Sequence, residues 1–129
     1  MEAKELRIGN YLNFEFHKDS GGIEKVGVFL SDIENLIYGG NRSKYYTPIP
    51  LTEEWLLKFG FVKDKKHNNC CDLELENNFY LQGVGYGKSN IKYEVILTDS
   101  NDNELTLVKH VHQLQNLYFA LTNEELTIK

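Results

Sequence analysis

The residues best suited to holding a ligand lie in two glycine-rich stretches. The first, Gly39-Gly40-Asn41-Arg42-Ser43-Lys44-Tyr45-Tyr46, sets a guanidinium, a hydroxyl, an ammonium and two phenols beside backbone that bends freely. Arg42 can grip a phosphate or carboxylate with two parallel hydrogen bonds, Lys44 adds a point charge, and Tyr45 and Tyr46 offer rings for stacking. That mixture suits a small phosphate- or carboxylate-bearing ligand, and it suits an ordinary exposed loop as well. In the second, Gly83-Val84-Gly85-Tyr86-Gly87-Lys88-Ser89, three glycines leave amides bare for a ligand to approach, with Tyr86 and Lys88 at hand. The candidate ligand-binding residues are therefore Arg42, Ser43, Lys44, Tyr45, Tyr46, Tyr86 and Lys88. Their use as one site requires the two stretches to frame a shared concavity.

Other motifs fail on their chemistry. A phosphate-cradling P-loop needs a glycine where this chain has Gln82, and a helix after Ser89 where Asn90 to Leu97 alternate as a strand. Gly83–Ser89 reads instead as a flexible connection between strands. Asp99-Ser100-Asn101-Asp102-Asn103 opens like a calcium loop, but Glu104 and His110 stand where glycine and glutamate are required, so it is a hairpin turn. His67 with Cys70 and Cys71, or His110 with His112, lacks the convergent pairing of zinc ligands, since adjacent cysteines on a strand face opposite ways. Cys70 or Ser89 with a histidine carries no nucleophile signature. Glu74 and Glu76 read as the wet side of a strand rather than as acid and base. No catalytic residue, metal ligand or cofactor is expected, and the chain is read as a non-enzyme.

The elements that must position these residues are legible from periodicity. Leu12, Phe14 and Phe16 alternate with polar neighbours as a half-buried strand, Asp19-Ser20-Gly21-Gly22 reverses it, and Val26, Val28 and Leu30 share a face of the return. Ile33–Tyr38 and Tyr45–Ile49 are further strands, the latter held to an edge by Pro48. Short strands and glycine turns suggest a curled, SH3-like or barrel-like sheet over residues 1–50. A helix over 51–60 follows, with Thr52 as N-cap, Leu51 and Leu56 as a hydrophobic staple, Gly60 as left-handed stop, and Trp55, Leu56 and Phe59 as its buried stripe. Over 61–109 the alternations Leu73/Leu75, Phe79/Leu81, Ile91 to Leu97 and Leu105/Leu107 make an antiparallel meander. A final helix over 110–122 carries Val111, Leu114, Leu117, Tyr118 and Leu121 on one face, and Asn123 fits a left-handed cap. The expected fold is a single α+β domain with an antiparallel, curled sheet, a short central helix and a C-terminal helix.

Composition bounds the partners. The 129 residues are 41% apolar, enough for a folded core, and carry a net charge of −5. Acidity with only two arginines, Arg7 and Arg42, argues against duplex nucleic acid, although Lys63, Lys65 and Lys66 are a local basic cluster that also reads as a solvated hairpin tip. No apolar run reaches the length of a membrane span and the first residues lack a signal peptide's apolar core, so the chain reads as cytoplasmic. Cys70 and Cys71, adjacent in sequence, are expected as free thiols.

Three blocks carry a resemblance. Lys4-Glu5-Leu6-Arg7-Ile8-Gly9-Asn10, the central Ile49-Pro50-Leu51-Thr52-Glu53-Glu54-Trp55-Leu56-Leu57-Lys58-Phe59-Gly60-Phe61, and Val111-His112-Gln113-Leu114-Gln115-Asn116-Leu117-Tyr118-Phe119-Ala120-Leu121-Thr122 resemble small uncharacterised proteins of Bacteroidota, their prophages and phages. The resemblance implies a phage or mobile-element accessory protein in a bacterial host cytoplasm, and brings no activity or site residue with it. Joined to the tyrosine- and glycine-rich stretches, it gives the expectation of a protein that binds a small nucleotide-like ligand or a host protein to counter a host defence. The alternatives are an interaction or structural module without a ligand, and a small hydrolase. A homo-oligomer stays open.

Overall fold

The computed structural model describes residues 5–14, 24–27, 46–87 and 92–129. The expectations placed on Ile33–Tyr38, on Gly39 to Tyr45 and on Lys88 fall outside them. The architecture is α+β, as the periodicities imply. Strands β1 (Tyr11–Phe14), β2 (Glu24–Gly27) and β3 (Tyr46–Thr47) form an antiparallel sheet in the order β2-β1-β3. Strands β4 (Val62–Lys63), β5 (Cys70–Glu74), β6 (Tyr80–Tyr86), β7 (Lys92–Thr98) and β8 (Glu104–Val108) form a five-stranded antiparallel meander in sequence order. Helix α1 (Glu53–Lys58) sits between the sheets in sequence, and α2 (Val111–Thr122) closes the chain. The described strands thus make two open sheets rather than one closed barrel.

Local chemistry accounts for both ends of α1. The Thr52 hydroxyl accepts from the Trp55 amide at 3.4 Å, and Leu51 and Leu56 are fully buried as the staple demands. Gly60 takes φ +95°, where a Cβ would strain the backbone, and the Phe61 amide returns to the Leu56 carbonyl at 3.0 Å. Glu54 and Lys58 form an i,i+4 ion pair, and Lys63 reaches Glu53, each at 2.9 Å.

Alternation assigns the sheet faces. Leu81, Gly83 and Gly85 of β6 and Tyr93, Val95 and Leu97 of β7 are buried on the inner face, with Leu51, Trp55, Leu56, Phe59, Val111 and Leu114 completing the core. Gln82, Val84, Tyr86, Lys92, Glu94 and Ile96 take the opposite parity on the same strands. Here the structure corrects the sequence reading of Gly83–Ser89 as a flexible connection: Gly83 to Tyr86 belong to β6, and Gly83 and Gly85 are buried. The glycine at 83 answers a packing need. A Cβ there would lie 2.5 Å from Leu56 Cδ1 and 3.2 Å from the Cys71 carbonyl oxygen.

The hairpin read at Asp99 to Asn103 holds, and asparagine also turns β5 into β6. Asn78 adopts φ 64° in the β5–β6 turn, and Asp99 Oδ1 accepts the Asn101 and Asn103 amides at 2.9 and 3.0 Å in the β7–β8 turn. Asn123 caps α2 in the left-handed conformation at φ 59°.

The buried stripe of α2 differs from the expected one. Val111, His112, Leu114 and Gln115 are buried, whereas Leu117, Tyr118 and Leu121 are only half-buried. Two polar residues sit in that stripe, and Gln115 has a structural reason. Gln115 Oε1 accepts the Tyr11 amide at 2.9 Å, and its Nε2 donates to the Gly9 carbonyl at 3.1 Å. Beside it Asn116 Oδ1 accepts from Asn10 Nδ2 at 2.9 Å, while Asn116 Nδ2 donates to the Glu5 carbonyl at 2.8 Å. Arg7 lies over the Phe119 ring at 3.8 Å and pairs with Glu125. The amino-terminal segment is therefore strapped to α2 by side-chain amides that satisfy its backbone groups.

Candidate functional site

Strand register gathers most of the lysines of the five-stranded sheet at one end. Lys63 of β4 pairs with Cys71, Cys70 with Val84, Tyr86 with Lys92, and Val95 with Val108, so the β4–β5 turn, the end of β6, the start of β7 and the end of β8 are neighbours. The Gly85 amide donates to the Asn69 carbonyl at 2.8 Å, which ties that turn to Tyr86. Lys63, Lys65, Lys66, Lys92 and Lys109 all fall at this end and all are exposed. The opposite end, where Glu74, Tyr80, Thr98 and Glu104 align, holds Glu74, Glu76, Asp99, Asp102 and Glu104. The sheet is thus charged unlike at its two ends, within a chain that is acidic overall.

Tyr86 is the centre of the basic end. It is half-buried on the outer face beside Lys92, and Lys109 Nζ stands 5.5 Å from its ring centroid. An ammonium over a phenol face is a cation–π contact that also holds the charge where a stacked planar anion would meet it. Lys63 is committed to Glu53, whose hydrogen bond raises the lysine pKa above its ordinary value. Lys65, Lys66 and Lys92 have no ion-pair partner among the described residues. Asp64 is held below its usual pKa by the Lys66 amide, which donates to it at 2.8 Å, so it stays ionised and fixes the turn.

The other sequence candidates divide. Arg42, Ser43, Lys44, Tyr45 and Lys88 lie outside the described residues. Tyr46 is buried at 6% exposure in β3, where it pairs with Phe14, so it offers no open face for stacking. Its chain nevertheless leads to the basic end: Pro50 bridges His110, and the Leu51 amide donates to the Lys109 carbonyl at 3.0 Å. Lys92 and Lys109 were missed by sequence reasoning. Their signal was parity and strand position, since Lys92 opens β7 opposite Tyr86 and Lys109 follows β8 at the same end of the sheet.

The thiols are not activated. Burial, then Asp72, raises the Cys70 pKa, and burial followed by Glu53 does the same for Cys71, which is the reverse of the depression a nucleophilic thiolate needs. Both cysteines are free, with Cys71 buried and Cys70 on the other face. Among the described residues no three of His, Cys, Asp and Glu converge as a metal set. His112 is buried with neither ring nitrogen hydrogen-bonded, and its ring stacks 6.1 Å from His110. A concavity of about 420 Å³ lies at the acidic end, between Leu73–Asn77 and the last turn of α2, with Tyr118, Leu121, Glu74, Glu76, Glu124 and Lys129 in its lining.

Neither a family model, nor a curated protein, nor a solved structure matches this chain. No helix of the described residues is long and apolar enough to cross a membrane.

Proposed function

We propose that the protein is a non-catalytic binder of a small, anionic, nucleotide-like ligand, held at the basic end of the five-stranded sheet. The observation that carries this reading is Lys109 over the Tyr86 ring with Lys92 paired beside it. A base or other planar group stacks on the phenol, and the ammonium groups of Lys65, Lys66 and Lys92 neutralise its phosphates. Arg42, Ser43, Lys44 and Lys88 are proposed to complete the contacts from the glycine-rich stretches. On the resemblance of its three sequence blocks, the binder is a phage or mobile-element accessory protein in a bacterial cytoplasm, where sequestering a nucleotide-like signal counters a host defence.

Isothermal titration of the full chain against cyclic nucleotides and ADP-ribose derivatives tests the reading. Binding heat whose affinity Tyr86→Ala weakens by about 1–3 kcal/mol supports it. No heat from any of these ligands overturns it. The runner-up, an interaction module, is favoured by the exposed Leu105 and Leu107 of β8, at 52% and 45% exposure.

A further inference from the structure

We propose that the concavity between Leu73–Asn77 and the last turn of α2 binds a linear aliphatic polyamine, at a site separate from the basic end. Its volume of about 420 Å³ falls within the range of small-ligand clefts, roughly 300–1,000 Å³. Apolar surface for the body of a ligand comes from Leu73 and Leu75 of the strand segment and from Tyr118 and Leu121 of the helix. Tyr118 and Leu121 belong to the stripe expected in the core, and their half-burial leaves side-chain surface open to the concavity.

Charge selects the ligand. Glu74 and Glu76 line the concavity from the strand segment, and Glu124 lines it from the segment after α2. None of these three carboxylates is in an ion pair among the described residues. Lys129 is the one cation of the lining, and it is engaged at the end of α1. Its amide donates to the Lys58 carbonyl at 2.8 Å, and its side chain lies against Gly60, where a Cβ would meet Lys129 Cδ and Nζ at 3.1 Å. Helix α2 adds to the same field, because its carbonyl end borders the concavity with no basic residue in the last turn, where the helix dipole favours a cation. Asp99, Asp102 and Glu104, at the same end of the sheet, extend the negative potential. A bare divalent ion fits this lining poorly, since no three of His, Cys, Asp and Glu converge as a metal set among the described residues. Ammonium groups spaced along a methylene chain fit it better: the methylenes cover the leucines, and the charges reach separate carboxylates or the Tyr118 ring face.

Isothermal titration of the full chain with spermidine, putrescine and cadaverine at physiological ionic strength tests the proposal, with magnesium chloride as the cation that lacks an apolar body. Spermidine is expected to bind at a single site and more tightly than magnesium. Cadaverine, one methylene longer than putrescine, is expected to bind up to about fourfold more tightly, the effect of one buried methylene. Because Glu74 and Glu124 are exposed, replacing both with glutamine leaves the core untouched. Glu74→Gln combined with Glu124→Gln should weaken spermidine about threefold to thirtyfold, the loss of two exposed charge contacts. The proposal is overturned by the absence of heat from every amine, by magnesium that binds as tightly as spermidine, or by a double variant that binds spermidine unchanged. These titrants are cations and those for the Tyr86 site are anions, so failure of either reading leaves the other standing.

Discussion

Gln115 holds the backbone of Gly9 and Tyr11 from opposite sides of its own amide, accepting from one and donating to the other. The two partners lie more than a hundred residues away in sequence, and the donor and acceptor they present would be unsatisfied without it. Replacing Gln115 with leucine leaves both groups unpaired at a part-buried contact. The expected loss is about 2–4 kcal/mol, with each orphaned group contributing its desolvation penalty. Urea unfolding of Gln115→Leu checks this, and an unchanged midpoint would show that the strap is incidental.

Gly83 sits under Leu56, and its missing Cβ is what lets α1 reach the sheet. Gly83→Ala is expected to destabilise the protein by roughly 1–3 kcal/mol through overpacking. Shortening the opposing side chain should relieve the clash, so Gly83→Ala combined with Leu56→Ala costs less than the sum of the two single changes. Strict additivity in thermal unfolding would count against the contact.

His112 links stability to pH. Burial, reinforced by His110, lowers its pKa below the ordinary 6.5, while Glu5 opposes the shift. The unfolded chain therefore takes up a proton near pH 6.5 that the folded chain refuses. Stability is full above that pH, falls as pH drops through 6.5, and levels off below the folded-state pKa. His112→Phe should flatten the urea midpoint between pH 7 and pH 5, before the carboxylates titrate. An equal slope in both proteins would assign the effect elsewhere.

Removing the Tyr86 ring is expected to cost nucleotide binding roughly 1–3 kcal/mol, about fivefold to 150-fold in affinity. Lys109→Ala should cost less, about 0.5–1 kcal/mol, because its ammonium is exposed. Fluorescence or calorimetric titration measures both. Affinity should also fall as salt is raised, since the lysine contacts are screened within about 8 Å at physiological ionic strength. A salt-independent affinity would place the ligand away from the basic end.

Much of the fold was readable because its signals are local. Thr52, Leu51, Leu56 and Gly60 specify α1 within one ten-residue window, and the alternations of β5 to β8 with the Asp99–Asn103 turn specify the meander in the same way. The thiols of Cys70 and Cys71 were also legible as unpaired, because adjacent positions on a strand diverge.

Tertiary structure alone decided the rest, and in each instance the deciding partner lay far along the chain. Gly83 looked like loop flexibility until Leu56 was set above it, and nothing in the spacing of α2 marks Gln115 as buried until Gly9 and Tyr11 are set beside it. Lys63, Lys65 and Lys66 are a local cluster in sequence with Lys92 and Lys109 far from it, and register makes all five one end of a sheet. Periodicity states which side of a strand a residue takes. Only pairing states which residues from other strands it meets there, because that choice depends on contacts summed over the whole core.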